Sequence, residues 1–522
     1  MFGKKIDQLP VFLLAILLLL GFLYRVYGLS NNYSFWIDED HVAIFVRAIL
    51  ERGKPVLTNG YSTGVYQFLQ YWTSAISAKI FGLNEFAIRL PSVFFGVLTI
   101  LAVYLLGKKI FNRKVGLLSA FFVAFINIEI LFSRQARPYQ ALQFFYLLGF
   151  YFIYRLANEN KFNWSYFLGF LGCGIFASLM HGLGLMVFFF GFVYLLIFKT
   201  SWFKKKLMLL GVFFFLFFGW IFRVPIFSVF SQIGKINNFF YYRVFLTHNY
   251  ISLCLLAVLG SFLLFWRKNY RELLLFIIPL GVQTIIVSFF LGQPFTRYFY
   301  PVFPFIILLA SYGIVDIGNW ILEIGGRETR KDIRNKIFDI SKNTNIHYPC
   351  LAGRQVISGL LVFVVIFSLW KTDKISLLPK KIYSLNADMQ EIPEIDWKKV
   401  YWFVGEKLKQ NPGSVLVTNW SDLPVWYLGE GKPDFLVRKN VGVEKDIFSK
   451  AMILSDLNNF HELVKNKKKG LIIIDSWDNA IPEGVTEYCH KNLKRELELD
   501  RLYPVQPRYW TVWVYSWGLN ND

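Results

Sequence analysis

Three consecutive acids, Asp38, Glu39 and Asp40, follow the first long apolar stretch of the chain, which covers residues 10–28. Carboxylates next to a bilayer are costly to desolvate, so acids at such a position indicate a function. At a boundary between water and membrane, a carboxylate can serve as a general base toward a hydroxyl group. We therefore take Asp38 and Glu39 as candidate catalytic residues.

Two other interpretations of these acids remain open from the sequence. Asp38 and Glu39 precede an amphipathic stretch, and acids near a helix N-terminus are favourable for structural reasons alone. Residues 38–40 also match an Asp-x-Asp metal motif by letter, although no nucleotide-binding fold precedes them. No feature of the sequence calls for a specific cofactor. A divalent metal is a further alternative, but no His-rich ligand cluster accompanies the acids.

A second group of candidates consists of cations that the predicted topology puts on the same side of the membrane as the acids. Arg134 and Arg137 follow the third predicted span, and Arg297 and Tyr298 precede the tenth. The excess of cations on the cytoplasmic side does not explain arginines at these positions. A planar guanidinium group is well suited to bind a lipid-linked phosphate. Anchoring to lipid headgroups is the alternative.

Three further polar residues lie at the ends of apolar runs. His181 separates two such runs and is either a binding residue or a structural helix end. Glu129 lies near the end of the third span, where an acid needs a partner, and we expect Arg134 or Arg137 to supply it. Arg89 opens the second span; we expect it to pair with an acid of the first loop, and we count it among the candidates for substrate binding.

The elements that must position these residues are membrane helices. The chain has 522 residues, is 55% hydrophobic without counting glycine, and has a mean hydropathy of +0.42. Soluble globular proteins are about 45–50% apolar with glycine included. The excess lies in runs long enough to cross about 30 Å of hydrocarbon as helices. We predict a mostly α-helical, polytopic protein with about eleven transmembrane helices, at 10–28, 90–107, 115–132, 139–157, 165–180, 182–198, 207–222, 248–266, 272–291, 299–317 and 356–370.

The net charge of +21 follows this topology and does not indicate a nucleic-acid partner. Basic clusters fill the loops at 108–114, 199–206 and 267–271, and they alternate with loops that lack them. This pattern predicts a cytoplasmic N-terminus, and an odd number of spans then puts the C-terminus outside. No small-residue cleavage site follows the first apolar run, so we expect a retained anchor in the cell membrane.

Two domains are predicted. Residues 1–370 form the transmembrane domain, in which the external loop 29–89 carries the acids and two interfacial helices, at 42–50 and 65–81. The basic segment 318–355 is expected in the cytoplasm.

Residues 371–522 have the composition of a soluble protein. Short apolar runs at 414–418, 471–475 and 510–515 are typical of buried strands, and helical patterns such as 397–410 lie between them. We predict a small external α/β domain. The four cysteines show no CxxC spacing, so they indicate neither a disulfide framework nor a zinc site.

Together these features resemble the GT-C glycosyltransferases, specifically the dolichyl-phosphate-mannose protein mannosyltransferases and the aminoarabinose transferases. The resemblance covers roughly residues 10–310. It depends on the motif Trp36-Ile37-Asp38-Glu39, on residues 81–92 (Phe-Gly-Leu-Asn-Glu-Phe-Ala-Ile-Arg-Leu-Pro-Ser), on residues 133–139 (Ser-Arg-Gln-Ala-Arg-Pro-Tyr) and on residues 296–298 (Thr-Arg-Tyr). The order of these motifs, the spacing between them and their predicted side of the membrane make the set more specific than any single motif.

The resemblance implies an activity and roles for residues. Members of the family take a sugar from a polyprenyl or dolichyl phosphate carrier and transfer it to a glycan, lipid or protein acceptor on the external face. Asp38 matches the family's proposed base, and Glu39 matches the second acid. The phosphate-binding arginines map onto Arg137 and Arg297, and less surely onto Arg134.

This chain departs from the family at residues 61–66, where a Pro-Pro pair is often found, and it shows no β-trefoil insert. A single base with a phosphate clamp predicts inversion at the anomeric carbon, since retention would need a second acid. The alternative function is a transporter or flippase for lipid-linked intermediates. Its ionisable residues would be expected near the bilayer midplane and within repeats, and no internal repeat is visible here.

Overall fold

The computed structural model describes most of the chain, and the side chains of residues 2–8 and 350–357 are not considered. The described residues are 2–30, 34–35, 38–64, 67–200, 236–317, 350–381, 383, 395–439, 442–476, 480–500 and 511–519. The predicted span 207–222, the greater part of the predicted cytoplasmic segment, and Trp36 and Ile37 of the first-loop motif lie outside them. The contacts divide the chain into two compact units, which we call unit 1 (1–27, 93–133, 139–380) and unit 2 (28–92, 134–138, 381–522).

The regular elements in the described part of unit 1 are helices. Its helices are α1 (Phe2–Val26), the larger part of α4 (Glu85–Ile110), α5 (Arg113–Phe125), α6 (Asn127–Ser133), α7 (Tyr139–Asn158), α8 (Trp164–Met180), α9 (Leu185–Phe198), α10 (Phe239–Asn249), α11 (Ile251–Trp266), α12 (Tyr270–Phe289), α13 (Thr296–Ile317) and α14 (Cys350–Lys371). Side-chain caps fix two of the starts: Asn112 accepts hydrogen bonds from the first backbone N–H groups of α5, and Asn163 does so for α8.

The helices of unit 1 confirm a membrane protein but not the predicted count of eleven spans. In the described part, four helices are long and apolar enough to cross a membrane: Leu9–Val26, Glu85–Ile110, Tyr270–Phe289 and Thr296–Ile317. The pair α10 and α11, bent by 99°, would make a fifth. Three shorter apolar helices accompany them: Trp164–Met180, Gly182–Phe198 and Ser358–Lys371.

The predicted third span, 115–132, is broken into α5 and α6. The break lies at Ile126, whose backbone is extended and forms an isolated bridge with Ile375. The N–H of Asn127 donates to the carbonyl oxygen of Lys374, and that of Ser376 donates to the carbonyl oxygen of Phe125. These bonds use backbone groups that an unbroken helix would pair internally, so residues after α14 hold the kink in place.

Unit 2 begins with two amphipathic helices. They are α2 (Glu39–Arg52) and α3 (Phe68–Phe81), close to the predicted interfacial helices. Gly53 ends α2 in the left-handed conformation at φ 72°, and its N–H donates to the carbonyl oxygen of Ile49. Seven buried apolar residues of α2, at 42–46, 48 and 49, form one cluster with Trp426 and Phe448.

The rest of unit 2 is an α/β domain, as the sequence predicts. Its strands are β1 (Val415–Thr418), β2 (Phe435–Val437), β3 (Met452–Leu454), β4 (Gly470–Asp475), β5 (Lys494–Asp500) and β6 (Thr511–Trp517). Its helices are α15 (Trp397–Gln410), α16 (Asp422–Leu428), α17 (Leu457–Asn466) and α18 (Val485–Asn492). The sheet order is β3-β2-β1-β4-β6-β5, with the first four strands parallel and the last two pairs antiparallel.

The apolar runs noted in the sequence are the three central strands β1, β4 and β6. Every residue of β4 is buried, which is typical of a strand covered on both faces. Of the cysteines, Cys173, Cys254 and Cys489 are free in the described chain. The predicted boundary at 370/371 stays a prediction; the contacts group residues 28–92 with 381–522.

Candidate functional site

Asp38 is the partly exposed member of the three acids and forms an ion pair. It takes the N-cap position of α2, but its side chain makes no capping hydrogen bond. Its Oδ2 lies 2.8 Å from a terminal nitrogen of Arg137, and the two side chains are 33% and 6% exposed. The capping interpretation of Asp38 therefore has no support in the hydrogen bonds of the helix. The acid is tied to a cation and is still accessible to a ligand.

Glu39 has a different environment. Its side chain is 1% exposed and accepts two hydrogen bonds from Arg89, one from Nε and one from a terminal nitrogen, both at 2.8 Å. The same carboxylate accepts a third bond, at 2.7 Å, from the backbone N–H of Ala136. The predicted pairing of Arg89 with an acid of the first loop is confirmed. A buried carboxylate held by three donors is suited to hold neighbouring segments in position, because most of its acceptor positions are already used.

The segment 134–138 connects these interactions. Its N–H at Ala136 binds Glu39, and its Arg137 side chain pairs with Asp38. Arg134 is 2% exposed; a terminal nitrogen donates to the carbonyl oxygen of Lys381 at 2.6 Å, and its guanidinium lies 5.3 Å from the Tyr383 ring centre. The segment thus places Arg137 beside the acids while Arg134 serves as an anchor.

Asp40 is fully buried and carries an unusual carboxyl group. Its Oδ1 accepts a hydrogen bond of 2.8 Å from the N–H of His41, whereas Oδ2 has no partner among the described residues. Burial, followed by the charge of Asp422, raises the pKa of Asp40 well above its usual value. Burial also raises the pKa of Asp422 to about 6 and lowers the pKa of His41 to about 4. Asp40 is enclosed and has no access to a ligand, so it is unsuited to act as a base toward a substrate.

The remaining predicted site residues belong to unit 1. The Arg297 guanidinium lies 3.8 Å from the ring centre of Phe295 and 5.6 Å from that of Tyr298, and the residue is 8% exposed. His181 packs between Tyr139 and Tyr298, with ring centres 5.3 and 6.2 Å away. Its Nδ1 accepts a hydrogen bond of 3.1 Å from the N–H of Leu183. This bond caps the short 3₁₀ turn that follows α8, as the structural interpretation of His181 predicts.

Glu129 has different partners from those that the sequence suggests. It accepts hydrogen bonds from the hydroxyl group of Tyr300 at 2.8 Å and from the amide of Gln143 at 3.1 Å. The expected pairing with Arg134 or Arg137 is replaced by neutral donors from α7 and α13. These bonds satisfy a fully buried acid inside unit 1.

The acids do not form a metal site in this arrangement. Across the described ranges, no group of three or more His, Cys, Asp or Glu side chains is placed to hold a metal ion. Within the Asp-x-Asp pattern, Asp38 is paired with a guanidinium and Asp40 is enclosed. The donor set therefore does not fit the divalent metal that the motif suggests by letter.

Sequence reasoning missed the part of the site that comes from the α/β domain. Arg47 of α2 donates to the carbonyl oxygens of Val425 and Trp426 at 3.1 and 2.7 Å, which ties α2 to α16. Glu85 at the start of α4 accepts a hydrogen bond of 3.1 Å from Tyr427. No local sequence signal could have found these pairs, because their members are more than 300 residues apart.

Comparisons with known proteins agree with this architecture. A family model described as dolichyl-phosphate-mannose-protein mannosyltransferase matches residues 67–222, which is less than half of the chain. A protein named putative mannosyltransferase YkcB, from Bacillus subtilis, is 27% identical over 169 residues, or 31% of this chain and 23% of that protein. An uncharacterized protein from Aquifex aeolicus is 30% identical over 139 residues, or 26% of this chain and 28% of that protein. The chain thus matches only about a quarter of the length of these relatives.

Solved structures match over nearly the whole chain. ArnT from Cupriavidus metallidurans in the apo state is 14% identical with a TM-score of 0.57, covering 98% of both chains. The same protein bound to undecaprenyl phosphate is 15% identical, with a TM-score of 0.57 and 97% of both chains covered. The oligosaccharyltransferase AglB from Archaeoglobus fulgidus, in complex with an inhibitory peptide and a dolichol-phosphate, is 12% identical with a TM-score of 0.53, covering 89% of this chain and 69% of that one.

At such low sequence identity these similarities establish the fold, and the reaction has to be inferred from the residues of the site. They confirm the resemblance predicted from the sequence: this membrane protein has the fold of the GT-C glycosyltransferases.

Proposed function

We propose that this protein is a membrane glycosyltransferase that moves a sugar from a polyprenyl-phosphate donor to an acceptor hydroxyl group, with Asp38 as the general base. The observation that carries the proposal is the contrast among the three acids. Asp38 is 33% exposed, whereas Glu39 and Asp40 are buried and engaged within the protein. Of the three, Asp38 has the access that a proton transfer with substrate requires.

The reaction balances with the groups of unit 2. The acceptor oxygen forms a bond to the anomeric carbon as the bond from that carbon to the phosphate oxygen breaks. The electron pair of the broken bond leaves with the lipid phosphate, and the acceptor proton passes to the Asp38 carboxylate. General base catalysis of this kind contributes roughly 10²–10⁴ in rate. The energy comes from the donor bond, so the step needs no nucleotide.

Arg137 supports both halves of this step. It holds the Asp38 carboxylate at 2.8 Å in one orientation, and a guanidinium group carries five N–H donors. The positive charge of the same guanidinium group can stabilise the negative charge that develops on the departing phosphate. Binding of undecaprenyl phosphate and of a dolichol-phosphate by proteins with this fold supports a polyprenyl carrier for the donor. Donor-binding roles for Arg134, Arg297, Tyr298 and His181 stay predictions from the sequence.

The test is sugar transfer by the purified, detergent-solubilised full chain with undecaprenyl-phosphate mannose as the donor probe. Asp38→Asn keeps the size of the side chain and should lower the rate by about 10²-fold or more, since the base is lost. Glu51→Gln, on the exposed side of the same helix, is the matched control and should leave the rate unchanged. Near wild-type transfer by Asp38→Asn would rule out the assignment of the base.

Inversion and sidedness are further parts of the proposal. Asp40 is enclosed and Glu39 is bound by three donors, so neither of these described acids is accessible as a second nucleophile beside Asp38, which supports a single displacement. NMR of the product shows whether the anomeric configuration is inverted.

For sidedness, a cysteine at the exposed position Lys465 should react with an impermeant maleimide in intact cells. Labelling only after cell lysis would place the α/β domain in the cytoplasm.

A further inference from the structure

The α/β domain has an open groove that the proposed chemistry does not use. Its volume is about 500 Å³, within the range of about 300–1,000 Å³ for small-molecule sites. The groove lies between α15, the turn before β1 and the end of α16. It is therefore at the amino end of β1, away from the carboxyl ends of the strands where α/β sheets usually bind ligands. Its lining includes Tyr401, Trp402, Glu406, Ser414, Tyr427 and Lys432.

Aromatic rings form one wall of the groove. Tyr401 and Tyr427 are stacked, with ring centres 5.4 Å apart and planes inclined by 10°. Trp402 is 69% exposed, although its neighbours Tyr401 and Val404 on α15 are buried. The apolar stripe of an amphipathic helix accounts for those neighbours but not for a tryptophan on the opposite face. A flat, exposed indole beside a cavity offers a stacking surface to a ligand that has a flat apolar face of its own.

The charges of the groove favour a neutral ligand. Lys409 is paired with Glu406 at 2.8 Å, and Lys432 is paired with Asp434 at 2.6 Å. Each cation is thus already balanced by a carboxylate of the same domain, so the groove has little attraction for a phosphate or an anionic lipid. The paired carboxylates still have free lone pairs, and carboxylates are strong acceptors for hydroxyl groups.

Ser414 adds an unused polar group to the lining. The residue is 8% exposed, and its hydroxyl group has no hydrogen-bond partner among the described residues. A buried hydroxyl group without a partner is costly, and a ligand hydroxyl group would satisfy it once the Ser414 side chain turns toward the groove. Saccharides combine apolar C–H faces with many hydroxyl groups, which matches an aromatic wall next to carboxylate and hydroxyl acceptors.

Within unit 2, side chains connect the groove to Arg89 and Glu39. The hydroxyl group of Tyr427 donates to Glu85 at 3.1 Å, and Lys398 of α15 pairs with the same carboxylate at 3.0 Å. One helical turn after Glu85 on α4 is Arg89, which binds Glu39 through two nitrogen atoms. A ligand stacked on Tyr427 therefore lies against the side chains that fix the start of α4.

We propose that this groove binds a neutral saccharide, which is the sugar portion of the acceptor. The acceptor role rests on the proposed glycosyltransferase function, whereas binding itself does not. The groove would bind the sugar portion through the rings of Trp402 and Tyr427, with buried Tyr401 supporting Tyr427 from behind and with Glu406 and Ser414 as hydrogen-bonding partners.

The first test is equilibrium binding to the full chain in nanodiscs without a donor. The probes are mannotetraose, cellotetraose and chitotetraose, and the readouts are titration calorimetry and saturation-transfer NMR. We expect saturable binding of at least one probe, weakened by about tenfold or more in Trp402→Ala and largely restored in Trp402→Phe. Ile447→Ala removes an equally exposed apolar side chain elsewhere on the domain and should have no effect. Absence of binding by all three probes, or binding that Trp402→Ala leaves unchanged, overturns the groove proposal.

The second test separates the groove from the proposed chemistry. With undecaprenyl-phosphate mannose as donor and the bound probe as acceptor, Trp402→Ala should raise the KM for the acceptor about tenfold at an unchanged kcat. Slow hydrolysis of the donor without acceptor should stay as in the wild type. Probe binding without any transfer by the wild type would retain the groove and count against the proposed function. Transfer with a KM that Trp402→Ala does not change would retain the function and overturn the groove's acceptor role.

Discussion

Arg89 binds Glu39 through two parallel hydrogen bonds of 2.8 Å, and both side chains are 1% exposed. The arginine belongs to α4 and the acid to α2, and the two residues are 50 positions apart in the sequence. The Phe35 ring, 4.8 Å from the guanidinium carbon, covers the cation. The pair joins two elements of unit 2, and Asp38 precedes Glu39 directly. The orientation of the proposed base thus depends on an ion pair that does not react.

Breaking this pair should destabilise the protein more than removing it. Glu39→Gln or Arg89→Met leaves one buried group without its partner, at a cost of about 3–5 kcal/mol. We expect a clear drop in the Tm of the solubilised protein and reduced transfer. The double variant Glu39→Gln/Arg89→Met should recover part of the lost stability, because it leaves no unpaired buried charge.

A partly exposed pair serves as the control. Lys398 pairs with Glu85 at 3.0 Å, but the lysine side chain is 58% exposed. Lys398→Met should cost no more than about 1 kcal/mol, as is usual for such ion pairs. A double variant at residues 39 and 89 that is less stable than both single variants would contradict the interpretation of the pair as a structural unit.

Removal of Arg137 should weaken the binding of the donor lipid. Loss of one partner from a buried charge pair costs about 2 kcal/mol or more, which corresponds to roughly thirtyfold in Kd. We expect this loss for undecaprenyl phosphate in Arg137→Ala, with partial retention in Arg137→Lys. The sequence prediction for Arg297 calls for a similar loss in Arg297→Ala. Arg495→Ala removes a 57% exposed arginine of the α/β domain and should not change binding. Unchanged lipid affinity in Arg137→Ala and in Arg297→Ala would end the phosphate-clamp hypothesis.

Local patterns in the sequence predicted some of the elements with accurate bounds. The helix predicted at 397–410 is α15 with the same bounds, and the runs 414–418 and 471–475 are β1 and β4. Such elements are determined by the apolar periodicity and hydropathy of the local sequence. The break between α5 and α6 was missed, because the strand-like bridge from Ile126 to Ile375 supplies the partners that the backbone needs there. No pattern near residue 126 contains that information.

In the candidate site, too, local features could be predicted from the sequence and contacts with distant segments could not. Acid type and position made Asp38 a candidate, and the predicted topology together with the family resemblance made Arg137 one; the structure brings the two side chains within 2.8 Å of each other. The different roles of the three acids could not be predicted, because neighbouring carboxylates on one helix end have the same local sequence context. Burial by distant segments decides them: Ala136 supplies the N–H that binds Glu39, and Asp422 lies close enough to raise the pKa of Asp40.

Close helix packing in unit 1 gives a prediction that concerns the fold alone. A Cβ atom added at Gly260 of α11 would lie 2.1 Å from the carbonyl oxygen of Leu309, so α11 and α13 approach each other at this glycine. Small residues allow such approaches between membrane helices. Gly260→Ala should force the helices apart at a cost of about 1–3 kcal/mol, seen as a lower Tm in detergent.

The control for this packing is Gly281 of α12. A Cβ atom there would meet nothing within 4 Å, so the helix has room for a methyl group. Gly281→Ala should leave stability unchanged or raise it by about 0.5–1 kcal/mol, because alanine favours the helix over glycine. Equal tolerance of both substitutions would show that the contact at Gly260 does not constrain the fold.

Opposite pH dependences should separate the two titrating groups beside Asp40. The pKa of His41 falls from 6.5 to about 4 on burial, so between these values the unfolded chain binds more protons than the folded one. His41 therefore lowers stability as the pH falls from 6.5 toward 4. The pKa of Asp422 rises from 3.8 to about 6, so there the folded chain binds more protons. Asp422 therefore lowers stability as the pH rises from 3.8 toward 6.

These signs predict how two variants diverge from the wild type in thermal unfolding between pH 4 and 7.5. His41→Phe keeps the ring contacts with Phe45 and Phe448 and should gain stability relative to the wild type as the pH is lowered through this window. Asp422→Asn keeps an oxygen that can accept the N–H of Leu423 and should gain as the pH is raised to about 6. Each difference should reach on the order of 3 kcal/mol, at about 1.4 kcal/mol for each unit of pKa. Differences from the wild type that stay constant with pH in both variants would show that neither group is enclosed as described, since burial is the largest cause of both pKa shifts.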